Sequence, residues 1–348
     1  LLKELHANEI VLLAYYIACI NIESIFDEIN KSEDYSPFEG IVLTDTFQLY
    51  EQENDLIANL LPDNSKRRIK QKEQNINVVI GNPPYSSGQT YANDNAANIN
   101  YPMLEKRIKE TYSNHSTANS KTSLYDSYIK AFRWASDRIK DKGVIGFVTN
   151  AGWIDGNATD GFRKCIGEEF NKIYVCHLRG NQRTSGELSR KEGGKIFGTG
   201  SRAPIAITFL VKNHNTSDNQ IFLFDIGDYL TREKKLKVLT ELGSIKNLKY
   251  ENKFQKIIPD DFNDWINQTE KSFFKLPLIG SKNTNELILF KDYSNGIKTH
   301  RDAWCYNFSR TKLALNCKKM TEFFNNSVME FRNLPILKIK NVVTQDPK

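Results

Sequence analysis

The sequence of 348 residues lacks any long apolar run. The longest one, at residues 10–20, is far shorter than the ~18 residues that a membrane-spanning helix needs. A basic region followed by a small-residue cleavage site is also missing, so no secretory signal is indicated. We therefore predict a cytoplasmic protein that does not bind to membranes.

Cysteine pairs at metal-binding spacing are absent as well. The 5 cysteines are odd in number, widely scattered, and form no C-x-x-C pair. Neither a zinc site nor a disulfide framework is therefore indicated, and reduced thiols are expected.

The sequence has only a small excess of positive charge, and it has many aromatic residues that can form a packed core. The 48 Lys and Arg residues oppose 42 Asp and Glu, and the net charge of +6 permits a polyanionic partner without requiring one. With 20 Phe and 15 Tyr, the chain has enough to bury, which excludes an intrinsically disordered protein. At ~150 residues per domain, its length corresponds to roughly two domains.

Apolar runs of strand length alternate with helical patterns through the first two-thirds of the chain, which is typical of an α/β fold with a parallel sheet. The predicted strands are residues 5–10, 40–43, 75–80, 143–149, 173–178 and 205–211. The run 75–80 is almost wholly apolar and predicts a strand buried on both faces. In the less regular C-terminal region, expected to be mixed α+β, Trp304, Tyr306 and Phe308 alternate as in a strand and are expected in the core. The polar stretch 213–219 predicts a boundary between a domain at 1–212 and a region at 213–348.

The residues Asn82, Pro83, Pro84 and Tyr85 directly follow the predicted strand 75–80. Two prolines fix φ and remove backbone donors, which gives a stiff turn with unpaired carbonyls. An Asn at the carboxyl end of a parallel strand lies where doubly wound sheets bind ligands. Its amide oxygen and the Pro83 carbonyl can accept from an exocyclic amino group, while Tyr85 offers a face on which a base can stack. The alternative is a plain Pro-Pro turn, but the preceding apolar strand favours the ligand site.

This motif resembles the fourth motif of amino-group DNA methyltransferases, (D/N/S)-P-P-(Y/F/W). The resemblance implies a Rossmann-like methyltransferase sheet with flanking helices, S-adenosylmethionine as cofactor, and the motif order of the gamma group. In that order Glu9 corresponds to the acidic residue that binds the ribose hydroxyls of the cofactor. Asp45 corresponds to the acidic residue that contacts the cofactor adenine, and Phe47 would pack beside it. The alternatives are a solvated strand-end charge for Glu9 and a helix N-cap or turn for Asp45.

Two longer segments, 178–204 and 296–309, extend the resemblance to the single-chain Type ISP restriction–modification enzymes. In that family a nuclease and a helicase-like motor precede the methyltransferase, and a target-recognition region follows it. This implies nuclease and helicase modules in the parent polypeptide. The first segment combines glycines and hydroxyl side chains with basic residues, which suits contacts to the backbone of double-stranded DNA. Its predicted DNA-binding residues, for which a solvated loop is the alternative, are Arg179, Arg183, Arg190, Lys191, Lys195 and Arg202.

The glycine-rich first motif of the family, which cradles the methionine part of the cofactor, is missing. It would precede Glu9, and residues 1–8 are too few to hold it. We therefore expect the chain to be a piece of a longer polypeptide whose methyltransferase domain is truncated at its N-terminus. By itself, such a piece is expected to bind cofactor poorly and to be inactive.

The residues and the resemblance together predict methyl transfer to the N6 amine of adenine, with the base flipped out of the duplex. Three alternatives remain open. N4-cytosine methyltransferases act on a similar amine but usually carry Ser at the position of Asn82. Protein glutamine methyltransferases share the motif but lack the basic segment and the large C-terminal region. The last alternative is a non-catalytic DNA-recognition module.

Overall fold

The structure is a computed structural model that divides into two compact units, Leu1–Gln268 and Thr269–Lys348. No helix in the described part is long and apolar enough to cross a membrane. The description covers residues 4–332 apart from 32–34, 52–60, 86–100, 198–201, 214, 217, 245–252, 282–284, 295, 297–298 and 300.

The described residues of unit 1 form two sheets. Strands β1 (Ala7–Glu9) and β2 (Ile41–Leu43) form a small parallel pair in which Glu9 lies opposite Leu43. The second sheet has the strand order β3-β4-β6-β5-β7-β8. Its strands are β3 (Val78–Gly81), β4 (Lys142–Asn150), β5 (Lys172–His177), β6 (Ile205–Asn213), β7 (Gln220–Asp225) and β8 (Gln255–Ile257).

The α/β class with a methyltransferase-type sheet and flanking helices is confirmed, but the larger sheet is mixed and not parallel throughout. Strand β3 runs parallel to β4, and β5 runs parallel to β7. Strand β6 is antiparallel to both β4 and β5, and β8 is antiparallel to β7. Apolar periodicity predicts that a strand forms, but it does not specify the direction of its neighbour.

Helices cover the sheets and close the main core. Among the described residues of unit 1 they are α1 (Leu12–Asn30), α2 (Pro62–Glu73), α3 (Pro102–Ile108), α4 (Ser127–Arg138), α5 (Asp160–Glu169), α6 (Gly186–Glu192) and α7 (Arg232–Leu242). In unit 2 they are α8 (Asp302–Cys305) and α9 (Arg310–Arg332). The main core lies between α3, α4 and α5 on one side and the central strands on the other, and Leu104, Phe132 and Phe162 are fully or almost fully buried in it.

The prediction that the strand before the Asn-Pro-Pro-Tyr motif is buried on both faces is wrong. Val78 and Ile80 are 58% and 83% exposed, whereas Val79 between them packs against the main core. Strand β3 is an edge strand that pairs with β4 alone, and one of its faces is left uncovered by the described residues. An apolar run indicates that a strand forms, but not how many neighbours it has.

The C-terminal aromatic residues also differ from the prediction. Residues 302–305 form the short helix α8, so Trp304 and Tyr306 do not lie on a strand. Tyr306 is 56% exposed, and the side chain of Phe308 is fully exposed instead of packing in a core. Local hydrogen bonds explain the difference, because the amides of Cys305 and Tyr306 donate to the carbonyls four residues earlier, as in a helix.

The boundary predicted at residue 213 does not coincide with the division between the two units. Strands β7 and β8 follow residue 213 and continue the sheet of unit 1, so the compact unit extends to Gln268. The polar stretch 213–219 connects β6 to β7, and strand β5 lies between those two strands in the sheet.

Candidate active site and nucleic-acid interface

The Asn-Pro-Pro-Tyr motif begins where β3 ends. Gly81, the last residue of the strand, lies opposite Phe147 of β4, and a Cβ atom at Gly81 would approach the Phe147 ring to 3.2 Å. The glycine therefore permits close packing of the strand end on its neighbour. Because β3 ends at Gly81 and runs parallel to β4, the motif lies at the carboxyl end of a parallel strand pair, as predicted. Asn82 and Pro84 are exposed, and Pro83 is half-buried.

Tyr85 folds back toward the strand end. Its hydroxyl lies 2.9 Å from Asn82 Oδ1 and 3.3 Å from the Val148 carbonyl, to either of which it can donate. Its ring meets that of Tyr128 edge to face, with centroids 6.4 Å apart. Burial raises the pKa of Tyr85 to about 12, so its hydroxyl stays protonated and remains a donor at neutral pH.

The predicted cofactor residues lie at the carboxyl ends of β1 and β2. Glu9 ends β1, and its Oε1 accepts hydrogen bonds from the amides of Ile10 at 2.8 Å and Val11 at 2.9 Å, just before α1. Asp45 follows β2 by two residues, and its Oδ1 accepts from the Phe47 amide at 2.9 Å. Both carboxylates therefore also shape their own turns. For Asp45 this is the turn of the alternative interpretation, whereas the alternative for Glu9 was a solvated charge. Because β1 and β2 are parallel neighbours, the two acidic residues emerge at the same end of this pair.

One contact of this region was not predicted from the sequence. The hydroxyl of Tyr101 donates to Asp45 Oδ2 at 2.6 Å, and the Tyr101 ring meets Phe47 edge to face with centroids 5.2 Å apart. Tyr101 is 56 residues from Asp45 and belongs to no recognisable motif, so no local sequence signal could have identified the pair.

The predicted DNA-binding segment is held by helix α7 and the loop before it. The Lys235 ammonium is fully buried and donates to the carbonyls of Glu192 and Gly194, both at 2.8 Å. Burial lowers the pKa of Lys235. Gly193 has a φ of +67°, and a Cβ atom there would lie 2.3 Å from the Leu230 carbonyl, so the close approach requires glycine. The segment is thus a built loop fixed by specific contacts.

The predicted basic residues differ in how far they are committed to contacts within the protein. The Arg179 guanidinium donates to Asp225 and Asp228, and Arg190 makes an exposed 3.4 Å ion pair with Glu187. Arg183 and Arg202 are exposed, and Lys191 and Lys195 are half-buried.

The basic segment also approaches the Asn-Pro-Pro-Tyr motif. Burial raises the pKa of Tyr128, the neighbour of Tyr85, and the charge of Arg183 partly opposes that rise. Tyr85 packs against a small apolar cluster that includes Leu178, directly before the basic segment, and Ile196, within it. The fold therefore brings part of the basic segment next to the motif.

Comparison with protein families gives two matches. Residues 5–183, just over half of the chain, match the Eco57I restriction-modification methylase model. The chain belongs to the Eco57I restriction-modification methylase family. Residues 288–346 match the Type ISP C-terminal specificity domain. No curated protein matches this family member significantly.

Three solved structures are similar to this methylase-family chain over 99% of its length. The Type ISP restriction-modification enzyme LlaGI, solved as a nuclease-deletion mutant with a DNA substrate mimic, is 48% identical with a TM-score of 0.89. The ATP-dependent Type ISP enzyme LlaBIII, bound to DNA, is 42% identical with a TM-score of 0.86. DrdV, also in complex with DNA, is 33% identical with a TM-score of 0.82. The chain spans 28%, 23% and 33% of these three proteins.

These matches confirm the resemblance to restriction–modification methyltransferases and to Type ISP enzymes. Among the described residues, no group of three or more His, Cys, Asp or Glu side chains is placed to hold a metal ion.

Proposed function

We propose that this chain is the part of a restriction–modification enzyme that methylates the N6 amine of adenine in DNA, with S-adenosylmethionine as methyl donor. The observation that carries the proposal is the exposed Asn82 carboxamide at the carboxyl end of β3, beside the ring of Tyr85. A carboxamide oxygen accepts from an amine, and an adjacent aromatic ring stacks on an extruded base.

The chemistry requires positioning more than acid–base power. The cofactor supplies an electrophilic methyl group on a sulfonium. Asn82 Oδ1 and the Pro83 carbonyl accept the two amine hydrogens of the flipped base, which draws the nitrogen lone pair out of conjugation. With the cofactor bound, that lone pair would take the methyl group in line, leaving S-adenosylhomocysteine, and the proton lost from the amine would pass to solvent. Tyr85 holds the base by stacking.

The polar residues at the ends of β1 and β2 suit the remainder of the cofactor. Glu9 Oε1 is occupied by two backbone amides, whereas Oε2 has no donor among the described residues and can accept a ribose hydroxyl. Asp45 and Phe47 lie side by side, as expected for a carboxylate and a ring that contact a purine. We also propose that cofactor affinity is low for this chain alone, because the glycine-rich element that cradles the methionine part of the cofactor in the family is not found before Glu9.

Double-stranded DNA is the proposed partner, and nuclease and helicase modules are the proposed companions in the same cytoplasmic polypeptide. Three similar proteins were solved with DNA or a DNA mimic, and two of them are described as Type ISP enzymes. Exposed basic residues, including Arg183 and Arg202, suit contacts with phosphates. N4-cytosine methylation remains the second candidate because its target amine is similar, and Asn at position 82 favours adenine.

Substitution Asn82→Ala in the intact enzyme tests the proposal. We expect methylation of adenine in DNA to be abolished, because the amine loses its side-chain acceptor, while DNA affinity stays within about twofold since most of it comes from phosphate contacts. Methylation is measured with radiolabelled cofactor and by mapping the modified base.

The matched control is Asn215→Ala, an exposed Asn between β6 and β7, at the opposite end of the sheet from Asn82. We expect its activity to be unchanged. Methylation that persists in the Asn82 variant would contradict the assignment, and N4-methylcytosine in the product would select the second candidate.

A further inference from the structure

Tyr101 follows the Asn-Pro-Pro-Tyr motif in the chain and directly precedes helix α3. The residue is buried, at 9% exposure. Its hydroxyl donates to Asp45 Oδ2 at 2.6 Å, which is short for a hydrogen bond between oxygen atoms. Its ring supports the ring of Phe47 from the edge at a centroid distance of 5.2 Å. One side chain thus contacts both of the neighbouring residues proposed to bind the purine of the cofactor.

The Asp45 carboxylate is held at both oxygens. Oδ1 accepts from the Phe47 amide at 2.9 Å, and Oδ2 accepts from Tyr101. Two donors fix the rotation of the carboxylate group as well as its position. Because each carboxylate oxygen has about two lone-pair sites, acceptor capacity remains for a ligand.

Tyr101 is itself held rigidly. The Glu51 carboxylate accepts from the amides of Met103 at 2.9 Å and Leu104 at 3.0 Å, which fixes the first turn of α3. The Lys130 ammonium lies 5.2 Å from the centre of the Tyr101 ring and pairs with Glu105 at 2.6 Å. Burial and the hydrogen bond to Asp45 raise the pKa of Tyr101, so its hydroxyl remains a donor at working pH.

We propose that Tyr101 is a positioning residue for the cofactor. Its hydroxyl orients the Asp45 carboxylate toward the exocyclic amine of the cofactor adenine, and its ring fixes Phe47 beside that base. This inference rests on the proposed function, because it requires that Asp45 contacts the cofactor.

The test compares Tyr101→Phe with Tyr50→Phe in the intact enzyme. The Tyr50 hydroxyl donates to Asp137 at 2.7 Å. Tyr50→Phe is therefore a matched control, because it removes the same kind of Tyr–Asp hydrogen bond at another place. We expect Tyr101→Phe to raise the Kd for S-adenosylmethionine, measured by calorimetry, about tenfold, as for loss of one hydrogen bond to a charged group. Its kcat at saturating cofactor and its DNA affinity should stay within about twofold, and Tyr50→Phe should leave the Kd unchanged.

A cofactor analogue that lacks the exocyclic amine of adenine separates orientation from a general loss of order. For this analogue the wild type and Tyr101→Phe should bind with similar affinity, because the contact oriented by Tyr101 does not form. A tenfold difference that persists with the analogue would overturn the proposal.

Asp45→Ala distinguishes failure of this inference from failure of the proposed function. If Asp45→Ala weakens cofactor binding but Tyr101→Phe does not, the positioning role is wrong. If Asp45→Ala leaves cofactor affinity unchanged, the proposed cofactor contact itself is wrong, and the inference fails with it.

Discussion

Besides the stacking role proposed for its ring, Tyr85 contacts Asn82 through its hydroxyl. The hydroxyl lies 2.9 Å from the Asn82 oxygen, the same atom that is proposed to accept the amine of the target base. Because a carboxamide oxygen has two lone pairs, it can accept from both groups at once. The hydroxyl therefore orients the Asn82 carboxamide.

Substitution Tyr85→Phe should separate this orientation from stacking. We expect the rate of methyl transfer in a single turnover to fall about threefold to tenfold, since one neutral hydrogen bond is worth about 0.5–1.5 kcal/mol. Tyr85→Ala should cost more, because the stacking surface is lost too. The control is Tyr174→Phe, whose ring stacks on Phe222 in strand β7. An unchanged rate for Tyr85→Phe would show that the hydroxyl does not contribute.

At the residue scale, the sequence predicted where the motif residues lie, but it did not predict the side chains that hold the motif residues in place. The placement of Asn82 and Tyr85 at a strand end was predicted because the apolar strand and the two prolines are contiguous in the chain. The contact of Tyr101 with Asp45 was not, because it joins residues 56 positions apart whose approach depends on how α3 packs.

Among the elements, the basic segment combines structural and exposed charges. Arg179 has a φ of +55° and is committed to Asp225 and Asp228, so it fixes the start of the segment. The Asp225 carboxylate also lies 3.5 Å from His177 Nδ1. Burial alone would raise the pKa of Asp225, but the adjacent His177 ring and the hydrogen bonds from Arg179 and the Gly227 amide outweigh it and hold that pKa well below its usual range. Arg183, by contrast, is exposed.

This difference predicts opposite effects for two arginine substitutions. Arg183→Ala should weaken DNA binding for all sequences alike and reduce the slope of log affinity against log salt by about 1, as for loss of one phosphate contact. Arg179→Ala should instead lower the free energy of unfolding by about 1–3 kcal/mol, because the half-buried Asp225 carboxylate loses a charged hydrogen-bond partner. Fluorescence anisotropy over a salt series and urea unfolding measure the two effects. Equal salt slopes for wild type and Arg183→Ala would argue against a phosphate contact there.

Element prediction succeeded where the pattern is local and failed where it depends on neighbours. The apolar runs placed β4, β5 and β6 within one or two residues of their observed bounds. The exposed faces of Val78 and Ile80 and the antiparallel direction of β6 depend on which strands lie alongside, which periodicity does not encode.

For the whole molecule, the division after Gln268 separates the methylase-family unit from the region that contains the specificity-domain match at 288–346. The net charge of +6 is modest. Inside unit 1, several charged side chains form partly buried ion pairs that join helices and strands. Arg133 is 2% exposed and donates to Glu169 at 3.1 and 3.2 Å. Ser136 and Lys212 also donate to Glu169, at 2.5 and 3.1 Å, so this carboxylate joins α4, α5 and β6.

Glu169 should therefore control the acid stability of unit 1. Burial alone would raise its pKa, but the charge and hydrogen bonds of Arg133, with Ser136 and Lys212, outweigh it and lower the pKa from 4.5 to about 2. A carboxylate whose pKa is depressed in the folded state stabilises above the unfolded value of 4.5, and this stabilisation is lost as the pH falls toward 2. A shift of this size corresponds to about 3 kcal/mol.

We expect Glu169→Gln to lower the free energy of unfolding by about 3 kcal/mol at pH 7, because, among the described residues, the buried Arg133 then keeps Asp137 alone as an ion-pair partner. The gap between this variant and the wild type should shrink as the pH falls below 4.5, because the Glu169 carboxyl of the unfolded wild type then binds a proton, which favours unfolding of the wild type and not of the variant. Urea unfolding at pH 7, 4 and 3 measures it, with Glu241→Gln in an exposed helical pair with Lys237 as the control. A gap that stays constant with pH would mean that the loss comes from packing, and that the charge of Glu169 does not hold α4, α5 and β6 together.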